Sequence, residues 1–473
     1  MYKITYRITT LSPVLFAMNV GDTNMVSTRE YIPGSVIMGL FAGRFIQKNN
    51  LYDKAHEEGK FYDWFLKGDV KFTNANIVFR DDRGVYKRYH PVPLSMQHEK
   101  GNDNKVYDLL FADDEDSDKQ TVYKEGFGRI NGKLLYRQPI KKSLNFHHQR
   151  DSAKGTVKEI FNYESIDACQ TFEGDILGGE KDLLKQVMSL FNKNDEVYIG
   201  RSRNAQYGKV RFEFVSEEAE GFASEIEGLT VKSGPLSLTL LSNTIIHNEN
   251  GFSTTEIPVL VEALKGKLGK GVTIKKAFVR TDEVENFVSV WRLRKPSEVC
   301  FMAGSCFLLE GVGDTSRLND LQKNGIGERR GEGLGRIAFG WQENYEFDWK
   351  DIKEKDPERP TIAAPPRTQE TVQTVARDFI RKKTELNALN KVKDFVHDDQ
   401  KNKGLPTKSL IGRLEAMVIT MDRSEFLTAL KDLRDTAKKK LEGCKDKNGK
   451  ETLFGYLERE EIKAVEILRH SDM

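Results

Sequence analysis

Residues 325–337 have the sequence GIGERRGEGLGRI, which contains five glycines and three arginines. Glycine lets the main chain approach a ligand closely and adopt positive φ. Clustered main-chain N–H groups and arginine side chains both bind phosphate. An apolar strand is predicted directly after the stretch, at residues 337–341. We therefore interpret Gly325, Gly327, Gly331, Gly333 and Gly335 as a glycine-rich loop, and Arg329, Arg330 and Arg336 as candidate phosphate-binding residues.

A second stretch of this kind, IGRSRNAQYGKV at residues 199–210, precedes a predicted strand at residues 210–215. Each half of the chain also opens with an alternating strand that ends in Leu-Ser, at residues 2–12 and 236–242. This ordered repeat predicts two copies of one small α+β unit. The candidate site residues of the earlier loop are Gly200, Arg201, Arg203, Tyr207 and Gly208.

The two loops also allow a plainer interpretation, in which each is an ordinary turn between a helix and a strand. Neither loop has the spacing GxGxxG, and the chain contains no GxxxxGK[ST]. These are the patterns that bind dinucleotides and nucleoside triphosphates. We therefore expect no nucleotide cofactor.

A basic segment with an aromatic residue inside it, KKSLNFHHQRDSAKG, occupies residues 141–155. Basic residues interleaved with aromatic ones suit a single-stranded nucleic acid, whose backbone they grip and whose bases they stack against. The two histidines could instead act as general acid and base in RNA cleavage. Adjacent side chains on a strand point to opposite faces, which disfavours a shared centre. The candidates here are Lys142, Phe146, His147, His148, Arg150 and Lys154.

The 473 residues of the chain predict about three domains. Residues 351–367 hold four prolines among charged residues, which is typical of a linker. Apolar residues at helical spacing follow, for example Leu410, Leu414 and Met417. We expect α+β domains at 1–228 and 229–350, the linker at 351–367 and a helical bundle at 368–473.

Composition excludes few partners. The chain has 74 Lys+Arg and 72 Asp+Glu, so a nucleic-acid surface must come from local segregation of charge. Residues 1–4 lack the features of a signal peptide, and no apolar run is long enough to cross a bilayer, so we expect no membrane partner. The four cysteines form no CxxC pair and no zinc spacing, so we expect a reducing cytoplasm and no metal.

The entry to the first predicted helix is marked by Pro33 and Ser35, directly before an apolar run. Gly39, Ala42 and Gly43 within that run would let the helix lie close to a sheet. Asp22 stands in the loop before it, where a lone aspartate is usually a turn or capping residue.

Taken together, these stretches resemble the RAMP superfamily of CRISPR-associated proteins, and within it the Csx-ten RAMP subunits of subtype III-D effector complexes. The resemblance spreads over residues 2–341 and is specific only in combination. Its five stretches are Leu11-Ser12-Pro13, Ile32-Pro33-Gly34-Ser35 with Gly39, residues 150–174, Gly200-Arg201-Ser202-Arg203 with Tyr207-Gly208, and residues 325–336.

The resemblance implies two tandem ferredoxin-like (RRM-like) RAMP domains with glycine-rich loops, followed by an α-helical C-terminal domain. It also implies a structural subunit that holds the crRNA near its 5′ tag, contacts target RNA and other effector subunits, and contributes to antiviral defence. An endoribonuclease remains as an alternative, acting through His147 or His148, or through Asp22 with a divalent cation. A protein-only scaffold is the other alternative.

Overall fold

The protein forms two compact units in a computed structural model, Met1–Pro357 and Glu358–Met473. The structure describes residues 1–18, 25–81, 83–99, 102–112, 121–123, 125–150, 157–192, 194–203, 206–224, 226, 234–288, 293–312, 316–351, 366–395 and 406–459. The first unit spans both of the α+β domains expected from the sequence. Most of the expected linker, residues 352–365, lies outside the described residues, as does Asp22.

The first unit is rich in short strands. Its strands are β1 (Tyr2–Thr10), β2 (Ala17–Met18), β3 (Met25–Thr28), β4 (Val70–Phe72), β5 (Asn76–Arg80), β6 (Tyr86–Arg88), β7 (His90–Pro91), β8 (Met96–Glu99), β9 (Asn102–Asp108), β10 (Thr121–Tyr123), β11 (Phe127–Asn131), β12 (Leu134–Gln138), β13 (Lys142–Arg150), β14 (Val157–Ile166), β15 (Thr171–Gly178), β16 (Asp195–Tyr198), β17 (Lys209–Phe214), β18 (Glu220–Gly221), β19 (Leu236–Leu240), β20 (Ile246–His247), β21 (Ser253–Thr254), β22 (Thr273–Phe278), β23 (Thr281–Val284), β24 (Phe287–Val288), β25 (Leu293–Arg294), β26 (Glu298–Phe301), β27 (Cys306–Glu310), β28 (Ile337–Phe339) and β29 (Glu346–Asp351). Its helices are α1 (Gly34–Asn49), α2 (Gly59–Phe61), α3 (Lys181–Met188), α4 (Ile257–Leu268) and α5 (Ser316–Asn324), with single turns at Tyr52–Glu57, Tyr62–Lys67, Leu109–Phe111 and Arg330–Glu332.

The first sheet is built around β1, which pairs antiparallel with β15 on one side and β17 on the other. Ile4, Tyr6 and Ile8 are buried on one face of β1, as the alternation of the sequence predicts. The strand order is β16-β17-β1-β15-β5-β6, with β4 also paired to β15. Because α1 follows β1 and α3 follows β15, the connectivity of this layer is β-α-β-β-α-β.

Helix α1 begins at Gly34 directly after Pro33, as the sequence predicts. Phe41 is buried against the sheet, with its ring centroid 5.3 Å from that of Phe72 and 5.6 Å from that of Phe212. Gly39 and Gly43 lie on the exposed side, with open space where a Cβ would stand. The expectation that they let the helix approach the sheet was therefore wrong, because bulky aromatic residues fill that interface.

The second half of the unit repeats this connectivity. Its sheet has the order β22-β27-β19-β28, and α4 follows β19 while α5 follows β27. In both halves the opening strand lies between the third and the closing strand of its own sheet. Leu238 and Leu240 of β19, Leu264 of α4 and Leu321 of α5 belong to one hydrophobic core.

Two further sheets extend the unit. A hairpin of β13 and β14 joins β3 and β2 in the order β13-β14-β3-β2. A seven-stranded sheet has the order β10-β8-β9-β29-β12-β11-β7. Strand β29, which ends the second half, therefore pairs on both sides with strands of the first half.

The second unit consists mainly of helices over its described residues. Its helices are α6 (Pro366–Phe395), α7 (Lys408–Thr420), α8 (Arg423–Lys431), α9 (Asp435–Gly443) and α10 (Leu453–Arg459). Leu410, Leu414, Met417 and Phe426 form its core. Within the described part of the chain, no helix is both long and apolar enough to cross a membrane.

Candidate nucleic-acid interface

The earlier glycine-rich loop joins β16 to β17 and lies against the segment that follows β1. The N–H of Arg201 donates to Leu15 O at 2.9 Å, and the N–H of Gly208 donates to Pro13 O at 2.8 Å. Gly208 has φ +90°, and a Cβ there would stand 2.5 Å from Ile199 O. Only glycine fits this geometry without a shift of the backbone. These two N–H groups are used within the protein, so they do not cradle phosphate as we expected.

The two arginine side chains of this loop are exposed, although its main chain is bonded within the protein. Arg201 and Arg203 are exposed, and neither has a carboxylate partner among the described residues. The guanidinium carbon of Arg201 lies 5.4 Å from the ring centroid of Tyr163 on β14. A cation over an aromatic face is held in place without being neutralised. The two arginines therefore remain available to an anionic ligand.

A cluster of rings joins the loop to the hairpin. Tyr207 is 1% exposed, and its hydroxyl lies 2.7 Å from Nε2 of His147 on β13. The His147 ring stacks on Phe161 with centroids 5.4 Å apart and lies 4.9 Å from the Tyr163 ring. Because its ring is buried, Tyr207 braces the loop and does not offer a face to a base.

The outer face of the hairpin is different. Phe146 is 75% exposed and Leu144 is 48% exposed. Phe146 and His147 point to opposite faces of β13, since side chains alternate along a strand. The exposed Phe146 ring offers a stacking platform for a base, on the face of the hairpin opposite to His147 and Tyr163.

Lys142 at the base of the hairpin is already neutralised. Its Nζ lies 3.0 Å from Glu30 and 3.1 Å from Glu164. Burial acts to lower the pKa of Lys142, but the hydrogen bonds and charges of the two carboxylates outweigh it and raise the pKa. A phosphate would have to displace both carboxylates, so the prediction that Lys142 binds phosphate was wrong. Lys154 and the side chains of His148 and Arg150 lie outside the described residues.

The later glycine-rich loop joins α5 to β28 and packs against the first half of the unit. Gly333 has φ +90°, and a Cβ there would stand 2.7 Å from Phe72 O of β4. The N–H groups of Gly325 and Gly335 donate to Leu321 O at 2.7 Å and Asn243 O at 2.9 Å. Within this loop, Gly325, Gly327 and Gly335 also have positive φ, whereas Gly331 does not. In the earlier loop, Gly200 has positive φ as well. This loop is therefore a tightly fixed turn, and its bonded N–H groups do not form the expected phosphate cradle.

Arg329 in this loop is an internal ion-pair residue. Its side chain is 13% exposed, and its guanidinium lies 3.0 Å from Glu298 and 2.8 Å from Glu332. Burial acts to lower the pKa of Arg329, but the hydrogen bonds and charges of the two carboxylates raise it. Glu332 also pairs with Lys295 at 2.7 Å. The prediction that Arg329 contacts phosphate was wrong, because the buried Glu332 and the half-buried Glu298 already hold it.

Arg336 is also structural. It is 3% exposed, and its guanidinium donates to Gln322 O at 2.7 Å and Lys323 O at 3.0 Å. These are carbonyls of the last turn of α5, where a cation is favoured by the helix dipole. The prediction that Arg336 contacts phosphate was therefore wrong. Arg330, by contrast, is partly exposed and has no carboxylate partner among the described residues.

Among the residues that the structure describes, no group of three His, Cys, Asp or Glu side chains could hold a metal ion. Cys306 is fully buried, and burial raises the pKa of its thiol to about 12. A thiol of that pKa is protonated at neutral pH and is a poor nucleophile. Of the sequence-predicted catalytic candidates Asp22, His147 and His148, His147 is the one whose side chain the structure describes.

Comparison with known proteins gives similarities of fold only. No protein-family model and no curated protein matches the chain. A chain of the type III-B Cmr-beta bound to cognate target RNA and AMPPnP is 14% identical over 64% of this chain and 86% of its own, with a TM-score of 0.38. A RAMP protein binding different RNA substrates is 9% identical over 72% of this chain and 99% of its own, with a TM-score of 0.31.

A third similarity is to the CRISPR-associated protein Cas6e from Escherichia coli K-12, which is 13% identical over 42% of this chain and 83% of its own, with a TM-score of 0.20. At these TM-scores, the argument for function depends on the residues of the interface.

Proposed function

We propose that the chain is an RNA-binding structural subunit of a type III, III-D-like, CRISPR effector complex. Its two β-α-β-β-α-β units would be the tandem ferredoxin-like RAMP domains. The observation that carries the proposal is the pair of exposed arginines, Arg201 and Arg203, on the loop that packs against the hairpin, which we term the arginine–hairpin surface. Neither arginine has a carboxylate partner among the described residues, and Phe146 adds an exposed ring on the opposite face of the hairpin.

Single-stranded RNA fits this surface for two physical reasons. Phosphate groups bind arginine through paired, charge-assisted hydrogen bonds. An unpaired base stacks on an exposed aromatic face, and this stacking is worth about 1–3 kcal/mol per base. An exposed phenylalanine alone would suit a protein partner equally well, but the two exposed arginines of the loop that packs against the hairpin favour a polyanion.

The finer parts of the proposal rest on the sequence resemblance. The RNA would be crRNA held near its 5′ tag, with target RNA and other effector subunits as further partners. Purification of the chain co-expressed with its neighbouring genes and a CRISPR array tests this. RNAs with one fixed repeat-derived 5′ end would support it, and a chain isolated without RNA would contradict it.

The arginine–hairpin surface itself is tested with the double substitution Arg201→Glu and Arg203→Glu. We expect it to abolish most binding of a fluorescein-labelled single-stranded RNA, because two attractive phosphate contacts become repulsive. The measurement is fluorescence anisotropy over a range of salt concentrations.

The matched control is Lys439→Glu with Lys440→Glu, two exposed lysines on α9 in the second unit. It makes the same change in net charge. Equal losses in both double variants would mean that overall charge, and not this surface, governs binding. RNA cleavage by the wild type that is lost in His147→Ala would instead favour the endoribonuclease.

A further inference from the structure

Two basic side chains from distant parts of the sequence lie close to the end of α5, and the last turn of α4 carries a third. Lys71 of β4 places its Nζ 3.2 Å from Asn324 O and 3.3 Å from Asn324 Oδ1. A Cβ built on Gly325, the next residue, would stand 3.7 Å from Cδ of Arg330. Lys267 is in the last turn of α4, where its carbonyl accepts from Arg317 of α5 at 3.3 Å. We term Lys71, Lys267 and Arg330 the seam cluster, because β4 belongs to the first β-α-β-β-α-β unit and the other two residues to the second.

The positive charges of the seam cluster exceed the negative charge that the described residues place around them. None of its three side chains has a carboxylate partner among the described residues. The nearby Lys265 and Lys323 differ, since they pair with Glu262 at 2.8 Å and Asp320 at 3.7 Å. Lys265 and Lys323 are thus neutralised locally, whereas the three cations of the seam cluster are not.

The pKa values of Lys71 and Lys267 are both lowered, as expected for cations that lie close together. Burial, then the charges of Arg330, Arg336 and Lys267, lower the pKa of Lys71 to about 8. Burial and then Arg330 also lower the pKa of Lys267, against the opposing charge of Glu328. Cations held together without a counter-ion repel one another, and an anion between them would remove that repulsion.

Helix capping explains only part of this arrangement. Cations near the C-terminus of a helix interact favourably with its carbonyls, and Lys71 and Arg336 make such contacts on α5. Arg330 makes no such contact with α5 and still approaches Lys71. A residue selected only for capping would not need two further cations beside it.

We propose that Lys71, Lys267 and Arg330 bind one phosphate group of an RNA backbone at the seam between the two β-α-β-β-α-β units. The identity of the anion as RNA rests on the proposed function, whereas the preference for a phosphate does not. The site uses side chains from both units, so RNA bound there would bridge them.

The site is tested with Lys71→Gln, Lys267→Gln and Arg330→Gln in the full chain. Each variant should weaken binding of the labelled single-stranded RNA about fivefold to tenfold, since one charged contact is lost. The slope of log affinity against log salt should fall by about 0.7 for each lost phosphate contact. Lys270→Gln is the control, because Lys270 is an exposed lysine just beyond α4 that does not act on the pKa of Lys71.

The Lys71→Arg variant distinguishes the effect of positive charge at this position from an effect of the substitution on folding. Bound phosphate favours the protonated amine, so wild-type affinity should fall as the pH rises through about 8. The groups that face Lys71 are Arg330, Arg336, Lys267 and the carbonyl and side-chain oxygens of Asn324. Lys71→Arg should keep its affinity at about pH 9, because arginine stays charged.

The outcomes distinguish the two proposals. If the wild type binds RNA and the three variants match it in affinity and salt slope, the seam site is wrong and the proposed function stands. If the wild type binds no RNA, the proposed function fails. Stabilisation by inorganic phosphate alone, lost in Lys71→Gln without any RNA binding, would overturn the assignment of the anion to RNA.

Discussion

At the scale of single residues, the described part of the chain contains an aspartate buried with little compensation. Asp108 ends β9 and is fully buried, and its Oδ1 accepts from the Leu110 N–H at 3.0 Å. Burial raises the pKa of Asp108 to about 6, although nearby Ser95 and the Leu110 N–H act to lower it. A buried carboxyl of raised pKa binds its proton more tightly in the folded state than in the unfolded state. It therefore costs stability at neutral pH.

The Asp108→Asn variant should be more stable than the wild type at pH 7, by at most about 3 kcal/mol. The difference should shrink as the pH falls from about 6 to about 4, because the wild-type carboxyl becomes neutral in the folded state. Thermal unfolding of both proteins across this range measures it. A variant that is less stable at pH 7 would show that the charged carboxylate is required.

The seam cluster shows what sequence could not reveal about single residues. Lys71 lies between the buried Val70 and Phe72 on a three-residue strand, and nothing local marks it as a ligand. Arg336 carried the expected signal of an arginine in a glycine-rich loop, yet α5 carbonyls bind it. An arginine of this loop is available to a ligand only if the carbonyls at the end of α5 do not bind it. The sequence pattern does not predict where α5 ends.

At the scale of elements, the glycine-rich loops were found from sequence, but their physical role was not. Gly208 and Gly333 let one backbone segment approach another within the protein, whereas we expected these glycines to let the backbone approach a ligand. Both purposes require positive φ and the absence of a Cβ, so composition cannot separate them. The exposed Arg201 and Arg203 are the part of the expected interface that the structure leaves available.

Gly333→Ala should destabilise the first unit by about 2–4 kcal/mol, since it combines backbone strain with a clash at Phe72 O. Gly43→Ala is the matched control, because Gly43 lies on the exposed side of α1 with open space around it. The control should stabilise the protein by up to about 1 kcal/mol through helix propensity. Chemical denaturation measures both, and similar effects of the two substitutions would contradict the assigned role of Gly333.

At the scale of the whole molecule, the net charge of +2 conceals local segregation. The ordered repeat in the sequence pointed to two α+β units, and the two sheets have corresponding strand orders. The pairing of β29 could not be anticipated, because its partners β9 and β12 lie more than 200 residues earlier in the chain. Periodicity within a segment identifies a strand but carries no information about so distant a partner.

Residues 1–357, expressed without the second unit, should fold cooperatively and bind single-stranded RNA within about twofold of the full chain. The reason is that this unit has its own cores and contains both Arg201 and the seam cluster. Calorimetry and fluorescence anisotropy on the same preparation measure the two properties. A folded fragment with much weaker binding would show that the helical unit contributes to RNA affinity.

The position of β29 has a consequence for synthesis on the ribosome. Strands β9 and β12 leave the ribosome early, but the strand that lies between them is made only after the whole second half. Until then two strand edges of the nascent chain stay unpaired, and such edges promote aggregation. The first half cannot therefore mature domain by domain as the chain grows, and a chain that stops before residue 346 is a predicted client of chaperones.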